Sequence, residues 1–253
     1  MRVTAVTGSA SGIGAAVRAR LEAAGERVVG VDLRDAEVIA DLSSAEGRSA
    51  AVAAIRRIAQ DRLDGLVVCA GVGPQFEPRP TIVSLNYFGA VALLADLRDA
   101  LAAGTSPAAV AVSSNSALLP GADGPLVEAC LADDEPEARR LADDLPGHAV
   151  YAGAKLALAR WTRRTAPTWA RTGIRLNAVA PGAALTPLLQ DSLDHPTYGP
   201  AIRNFPIPTG TFGTPDQIAA AITFLLSPDA SFCCGTVLVV DGGTDALLRP
   251  DDL

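Results

Sequence analysis

Tyr151 and Lys155 stand four residues apart, so on a helix both side chains leave the same face. A free phenol titrates near pH ~10 and is a poor base at neutral pH, but an ammonium beside it favours the phenolate. A drop of ~2–3 pKa units corresponds to roughly 3–4 kcal/mol of differential stabilisation, enough for acid–base work in a cleft partly closed to water. An isolated Tyr-x-x-x-Lys arises often by chance. This pair, however, opens a helix after an apolar run, where the carboxyl ends of a doubly wound sheet gather.

A second constellation sits near the N-terminus. Thr7-Gly8-Ser9-Ala10-Ser11-Gly12-Ile13-Gly14 follows the first apolar run and leads into a helix. Glycines there allow a tight turn and a close backbone approach to a pyrophosphate, which then rests on the helix N-terminus. The spacing is Gly-x-x-x-Gly-x-Gly, not Gly-x-Gly-x-x-Gly. Eighteen residues beyond Gly14, the second run ends at Val31-Asp32. A carboxylate there accepts the ribose hydroxyls of an adenosine and repels a 2′-phosphate. No Arg occupies that position, although Arg34 lies two residues on. The cofactor expected is NAD.

The elements that must position these groups are legible from hydrophobic patterning. Apolar runs at Val3–Thr7, Arg27–Val31, Gly65–Ala70, Ala108–Ser113, Ile174–Ala180 and Gly235–Val240 alternate with amphipathic segments. Those segments are Ile13–Ala24, Arg48–Ala59, Val83–Ala102, Tyr151–Thr172 and Pro215–Leu226. Strands apolar on both faces and separated by helices predict a parallel sheet covered on both sides. With right-handed crossovers this is a doubly wound, Rossmann-like α/β sheet. With no internal repeat or low-complexity linker, residues 1–253 read as one domain. Two stretches break the rhythm. Residues from about 117 to 147 are acidic, with Leu126, Val127, Leu131, Ala138, Leu141 and Ala142 forming a helical stripe. Residues from about 183 to 213 are rich in Pro and Thr, with Leu185, Leu188, Leu189, Tyr198, Phe205 and Phe212; loops this long usually serve binding.

Composition excludes several classes. With 49% hydrophobic and 19% charged residues, the chain is not disordered. A net charge of −7 leaves no basic stripe for a nucleic-acid backbone. No run approaches the ~18 apolar residues of a membrane span, and Gly8 and Ser9 interrupt the N-terminus too early for a signal peptide. Cys69, Cys130, Cys233 and Cys234 form no C-x-x-C pair and read as buried thiols of a reducing compartment rather than metal ligands. A cytoplasmic protein without a metal is expected.

Taken together, Thr7–Gly14, Cys69-Ala70-Gly71, Asn86, Ser113-Ser114, Tyr151 with Lys155, and Asn177 through Pro181-Gly182 to Thr186 resemble the short-chain dehydrogenase/reductase family over nearly the whole chain. Cys69 stands where the family usually has Asn, which is expected to loosen the bracing of the first strand. Arg34–Leu42, Asn86-Tyr87-Phe88-Gly89, Thr186–Leu189, the tail from Asp241 to Pro250 and the long insertion between Ser114 and Tyr151 resemble the bacterial 3α-hydroxysteroid dehydrogenase/carbonyl reductase branch.

The resemblance implies that Tyr151 exchanges a proton with the substrate oxygen and that Ser114 hydrogen-bonds that oxygen. Lys155 would hold the nicotinamide ribose and depress the Tyr151 pKa, with Asn86 supporting a water relay. Gly8, Ser11, Gly12, Ile13 and Gly14 would cradle the dinucleotide. Asp32 would take the adenosine ribose, Asp41 and Leu42 would flank the adenine, Ala70 and Gly71 would line the cofactor, and Thr186 would hold the carboxamide.

Plainer readings compete at several positions. Ser114 could be a strand-end cap, with Ser113 or Ser116 catalytic, and Asn86 could merely brace its helix. His148 reads as a loop residue, His195 has no partner, and Trp161 with Trp169 read as packing. The 183–213 stretch supplies an apolar cleft suited to a fused-ring alcohol or ketone. Alternatives are a general carbonyl or 3-oxoacyl-thioester reductase, or a nucleotide-sensing protein without turnover. The family's usual association surface includes the helix that carries Tyr151. The acidic insertion is expected to cover that surface and give a homodimer rather than a tetramer, or else to act as an acidic lid beside the site.

Overall fold

The strands are apolar on both faces because helices cover both faces. The computed structural model describes residues 1–251. Strands β1 (Val3–Thr7), β2 (Arg27–Asp32), β3 (Val38–Ile39), β4 (Gly65–Val68), β5 (Ala108–Val112), β6 (Arg175–Pro181) and β7 (Val237–Val240) form one sheet in the order β3-β2-β1-β4-β5-β6-β7. All pairings are parallel, and the strand order reverses between β1 and β4. Adjacent residues point to opposite sides. Ala5 joins the core under helix α2 (Ala45–Ala59) and helix α8 (Gly147–Ala170). Val6 joins the core under helix α1 (Gly12–Ala23) and helix α11 (Pro215–Leu226). Among the described residues no helix is long and apolar enough to cross a membrane.

Several elements differ from expectation. The two-residue β3 is a seventh strand that periodicity misses. The amphipathic stretch 83–102 is not one helix: α3 (Pro80–Val83) runs into a π-turn at Ser84–Gly89, followed by α4 (Ala90–Asp96) and α5 (Arg98–Ala102). The π-turn holds Asn86, whose amide exchanges two 3.0 Å hydrogen bonds with the Val72 backbone. Helix α8 begins four residues before Tyr151, after Pro146 as N-cap, so Tyr151 lies a full turn inside it. His148 is therefore helical rather than a loop residue.

The acidic stretch folds into α6 (Pro125–Leu131) and α7 (Glu135–Asp144). Leu126, Val127, Ala138 and Ala142 are buried, and a Cβ on Gly153 of α8 would stand 3.0 Å from Leu126. Arg160 of α8 grips Asp123 with two hydrogen bonds, and Arg48 of α2 reaches Glu135 at 2.7 Å. The insertion thus covers part of α8. Of the 117–147 stretch, Leu119 lines the cleft described next, and helices α6 and α7 do not.

Candidate active site

One continuous cleft of about 520 Å³ crosses the carboxyl ends of the strands, where a doubly wound sheet binds ligands at its switch point. At one end lie Gly8, Ser11, Gly12, Ile13, Gly14, Asp32, Asp41 and Leu42. Gly8 adopts φ +68°, its N–H donates to the Val31 carbonyl at 2.8 Å, and a Cβ there would meet the Ala70 backbone at 3.0 Å. On Gly14 a Cβ would strike the Gly8 carbonyl, so the turn closes only with glycine. Helix α1 starts at N-cap Ser11 with no side-chain cap and no acid in its first turn. Such an N-terminus suits a pyrophosphate. The Asp32 carboxylate accepts from Ala10 N–H at 3.0 Å and Leu33 N–H at 2.7 Å, which aims it and leaves lone pairs for a diol. Arg34 is 84% exposed and lies 4.0 Å from Asp35. Asp41 accepts from Ser43.

Cys69 does not loosen the bracing of β1. The Thr7 hydroxyl accepts from both Cys69 N–H and Ala70 N–H at 2.9 Å, so backbone donors do the bracing and the side chain at 69 is free to vary. Burial pushes the Cys69 thiol up to about 11, leaving it un-ionised.

In the middle and at the other end lie Ala70, Gly71, Lys155, Ser114, Tyr151 and Thr186. Ser113 and Ser114 separate cleanly. Ser113 Oγ is buried and donates to the Lys155 carbonyl at 2.8 Å. Ser114 Oγ lines the cleft and accepts from Ser116 N–H and Oγ at 3.2 and 2.9 Å. Ser114 therefore does cap the short 3-10 turn Asn115–Leu118, and the same hydroxyl also reaches the phenol of Tyr151.

The expected depression of the Tyr151 pKa is not found in the chain alone. Burial pushes the phenol up, and the Ser114 hydroxyl opposes that shift without the help of Lys155. The ammonium lies 5.9 Å from the Tyr151 ring centroid and donates to the Val112 carbonyl at 2.9 Å. Its own burial drives it down to about 8, so it is itself short of countercharge.

Asn86 is fully buried and does not line the cleft. A Cβ on Gly71 would nevertheless stand 2.6 Å from its Oδ1 and 3.6 Å from Lys155 Nζ, so Asn86 sits directly behind the cofactor-side wall. Thr186 Oγ1 caps helix α9 (Pro187–Asp194) through Leu189 N–H at 3.1 Å, and its methyl faces Gly12.

Sequence reasoning missed Thr7 as the brace and Leu119, Ser192 and Ile202 as lining residues. Leu188, Leu189, Tyr198 and Phe205 line the cleft as the loop reading implied, whereas Leu185 and Phe212 do not. Trp161 and Trp169 pack edge-on at 6.1 Å, away from the cleft. Among the described residues no cluster of His, Cys, Asp and Glu is arranged to hold a metal ion.

Comparison with known proteins agrees with this geometry. A family model described as enoyl-(acyl carrier protein) reductase matches residues 140–245. The chain is 47% identical to a 3-alpha-hydroxysteroid dehydrogenase/carbonyl reductase of Comamonas testosteroni over 99% of both chains. It is 32% identical to a short-chain type dehydrogenase/reductase of Sinorhizobium fredii over 98% of this chain and 44% of that one. A crystal structure of the 3-alpha-hydroxysteroid dehydrogenase from Pseudomonas sp. B-0831, complexed with NADH, superposes with a TM-score of 0.98 at 50% identity over 99% of this chain and 100% of that one. The chain belongs to the short-chain dehydrogenase/reductase family.

Proposed function

We propose that this short-chain dehydrogenase/reductase is an NAD-dependent enzyme interconverting a secondary alcohol and a ketone, with a 3α-hydroxysteroid as its substrate class. The observation that carries the reading is the single cleft joining a glycine turn and Asp32 to Ser114, Tyr151 and Lys155 beside an apolar wall. The residues fit a dinucleotide: the uncapped start of α1 suits the pyrophosphate, and Asp32 suits an unphosphorylated adenosine ribose. When bound, NAD supplies the hydride acceptor for the carbinol carbon. In this reading Asp41 and Leu42 flank the adenine, Ala70 and Gly71 line the nicotinamide half, and Thr186 holds the carboxamide.

Ser114 Oγ orients the substrate oxygen. Tyr151 takes its proton during oxidation and returns it during reduction. The raised phenol pKa of the chain alone favours the protonated form that donates to a ketone, whereas oxidation draws on the phenolate and so gains rate as pH rises. Lys155 has donors left beyond Val112 with which to hold the nicotinamide ribose. Asn86 fixes the wall behind Lys155 and supports proton exchange with solvent.

Residues 1–253 are read as a single domain with the insertion and substrate loop as its parts. The expectation of buried thiols holds for Cys130 alone, since Cys69 and Cys233 are partly buried and Cys234 is exposed; that all four are free supports a reducing, cytoplasmic setting. Because α6 covers part of α8, we expect a homodimer, with light scattering near twice 25.9 kDa; a stable tetramer would contradict it. Asp32 weighs against an NADP-dependent 3-oxoacyl-thioester reductase.

The test follows absorbance at ~340 nm, the reduced-nicotinamide band, with androsterone and a panel of secondary alcohols, NAD beside NADP. NAD-dependent oxidation is expected, and Asp32→Ser should lower the NAD/NADP ratio of kcat/KM by roughly 10–100-fold. A preference for NADP in the native chain would overturn the cofactor assignment. Nucleotide binding without turnover of any alcohol or ketone would favour the nucleotide-sensing alternative.

A further inference from the structure

Two polar side chains line the cleft without a task in this chemistry. His148 lies on α8 three residues before Tyr151, about 4.5 Å earlier along the helix axis. Both face the cleft. The His148 ring meets the Tyr198 ring edge-on at 6.4 Å. On its other side Tyr198 is held by the His195 ring at 4.9 Å, tilted by 35°. His195 in turn is anchored by its Nδ1, which accepts from Thr197 N–H at 3.2 Å. The Tyr198 hydroxyl ends against the first residue of α8, where a Cβ on Gly147 would stand 3.2 Å from it. Among the described residues neither the Tyr198 hydroxyl nor either nitrogen of His148 has a hydrogen-bond partner.

The same cleft is also lined by the apolar Leu119, Leu188, Ile202 and Phe205. The polar Ser192 hydroxyl is already engaged with Gln75 and the Leu188 carbonyl. His148 is exposed and Tyr198 half-buried in the free chain, so both meet water until an apolar ring system fills this space and strips it away. Donors left dry and unpaired oppose binding. A ligand that supplies an acceptor oxygen there removes that penalty.

We infer that His148 and Tyr198 form a second polar subsite that recognises a hydrogen-bond-accepting oxygen on the substrate other than the reacting one, joined to it by an apolar ring system. The inference rests on the secondary-alcohol reading above and adds what that reading lacks, a device that selects among apolar alcohols. Apolar pockets alone discriminate weakly. Paired donors reject an analogue that lacks its acceptor far more strongly.

The experiment measures kcat and KM with NAD for androsterone and for the same 3α-alcohol lacking the distal carbonyl. The full-length protein is compared with His148→Phe, Tyr198→Phe and His148→Gln. The native chain is expected to favour androsterone in kcat/KM by about tenfold or more. His148→Phe and Tyr198→Phe should each lower that ratio by roughly 3–10-fold, with the loss falling on KM rather than kcat. His148→Gln, which restores a donor, should recover part of it. An unchanged ratio in both phenylalanine variants, with both alcohols still oxidised, overturns the subsite alone. Failure of the native chain to oxidise either alcohol overturns the secondary-alcohol reading and the subsite with it.

Discussion

The two ends of the cleft are held by different kinds of contact. At the nucleotide end the chain is fixed by strand tips and backbone groups: Gly8 N–H on the Val31 carbonyl, Thr7 Oγ1 under Cys69 and Ala70, and Asp32 on Ala10. At the substrate end single side chains tie separate segments together. Ser192 Oγ donates to Gln75 Oε1 at 2.7 Å across 117 residues of sequence. Arg203 of helix α10 (Gly199–Arg203) donates to the Leu193 carbonyl at 2.9 Å. Tyr198 bridges His148 and His195. The first end is tied to strand tips that the sheet already holds in register, and the second to loops and helices outside the sheet. Substitutions should therefore be severe and general at the first end, and graded and substrate-specific at the second.

The largest contrast comes from the glycine turn. Gly14→Val places a side chain against the Gly8 carbonyl. Overpacking of ~1–3 kcal/mol translates into up to roughly 100-fold weaker nucleotide binding, read by NADH fluorescence titration. Unaltered affinity would break the contrast at once.

Lys155, between the two ends, should weaken the fold that carries it. It is only 4% exposed, and its folded pKa of about 8 lies below the ~10.4 of an unfolded lysine. Between those values the unfolded chain binds more protons, so stability rises with pH across that window, while below pH ~8 the full burial cost is present. Lys155→Met should stabilise the nucleotide-free protein at pH ~7 by about 1–3 kcal/mol, measured by urea midpoints. The advantage should shrink towards pH ~10 as the folded-state lysine loses its proton while the unfolded one largely keeps it. A difference independent of pH would contradict the cause given.

At the substrate end, Ser192→Ala removes the hydroxyl shared between Gln75 and the Leu188 carbonyl, a loss of roughly 0.5–1.5 kcal/mol. KM for the alcohol should rise about 3–10-fold with NADH affinity unchanged; a parallel loss of NADH affinity would erase the distinction between the ends. The smallest effect belongs to Arg34→Ala. That side chain is exposed beside Asp35, so the NAD/NADP ratio should stay within about twofold. A larger change would bring Arg34 into the cofactor site.

The same contrast explains what the sequence revealed. Every residue assigned to the nucleotide end lines the cleft; the glycine turn and Asp32 are a local pattern after a strand, whereas Asp41, Leu42, Ala70, Gly71 and Thr186 came with the family resemblance. The parallel sheet was equally readable from its runs of buried Val and Ala. What escaped was decided at a distance. The strand β3 is too short to show a period. The π-turn at Ser84–Gly89 carries Asn86 back to Val72, a contact across 14 residues that periodicity does not show. The start of α8 carries no Ser, Thr, Asp or Asn cap. The raised pKa of Tyr151 in the chain alone also escapes pattern, which does not reveal that Lys155 turns to the Val112 carbonyl.

The central claim is that Tyr151 moves the substrate proton in an NAD-dependent oxidation. Steady-state oxidation of androsterone by the native protein and Tyr151→Phe, with NADH binding measured on both, tests it most directly. We predict that kcat falls by about 100–10,000-fold while NADH binds with near-native affinity. A Tyr151→Phe protein that turns over at close to the native rate would contradict the account.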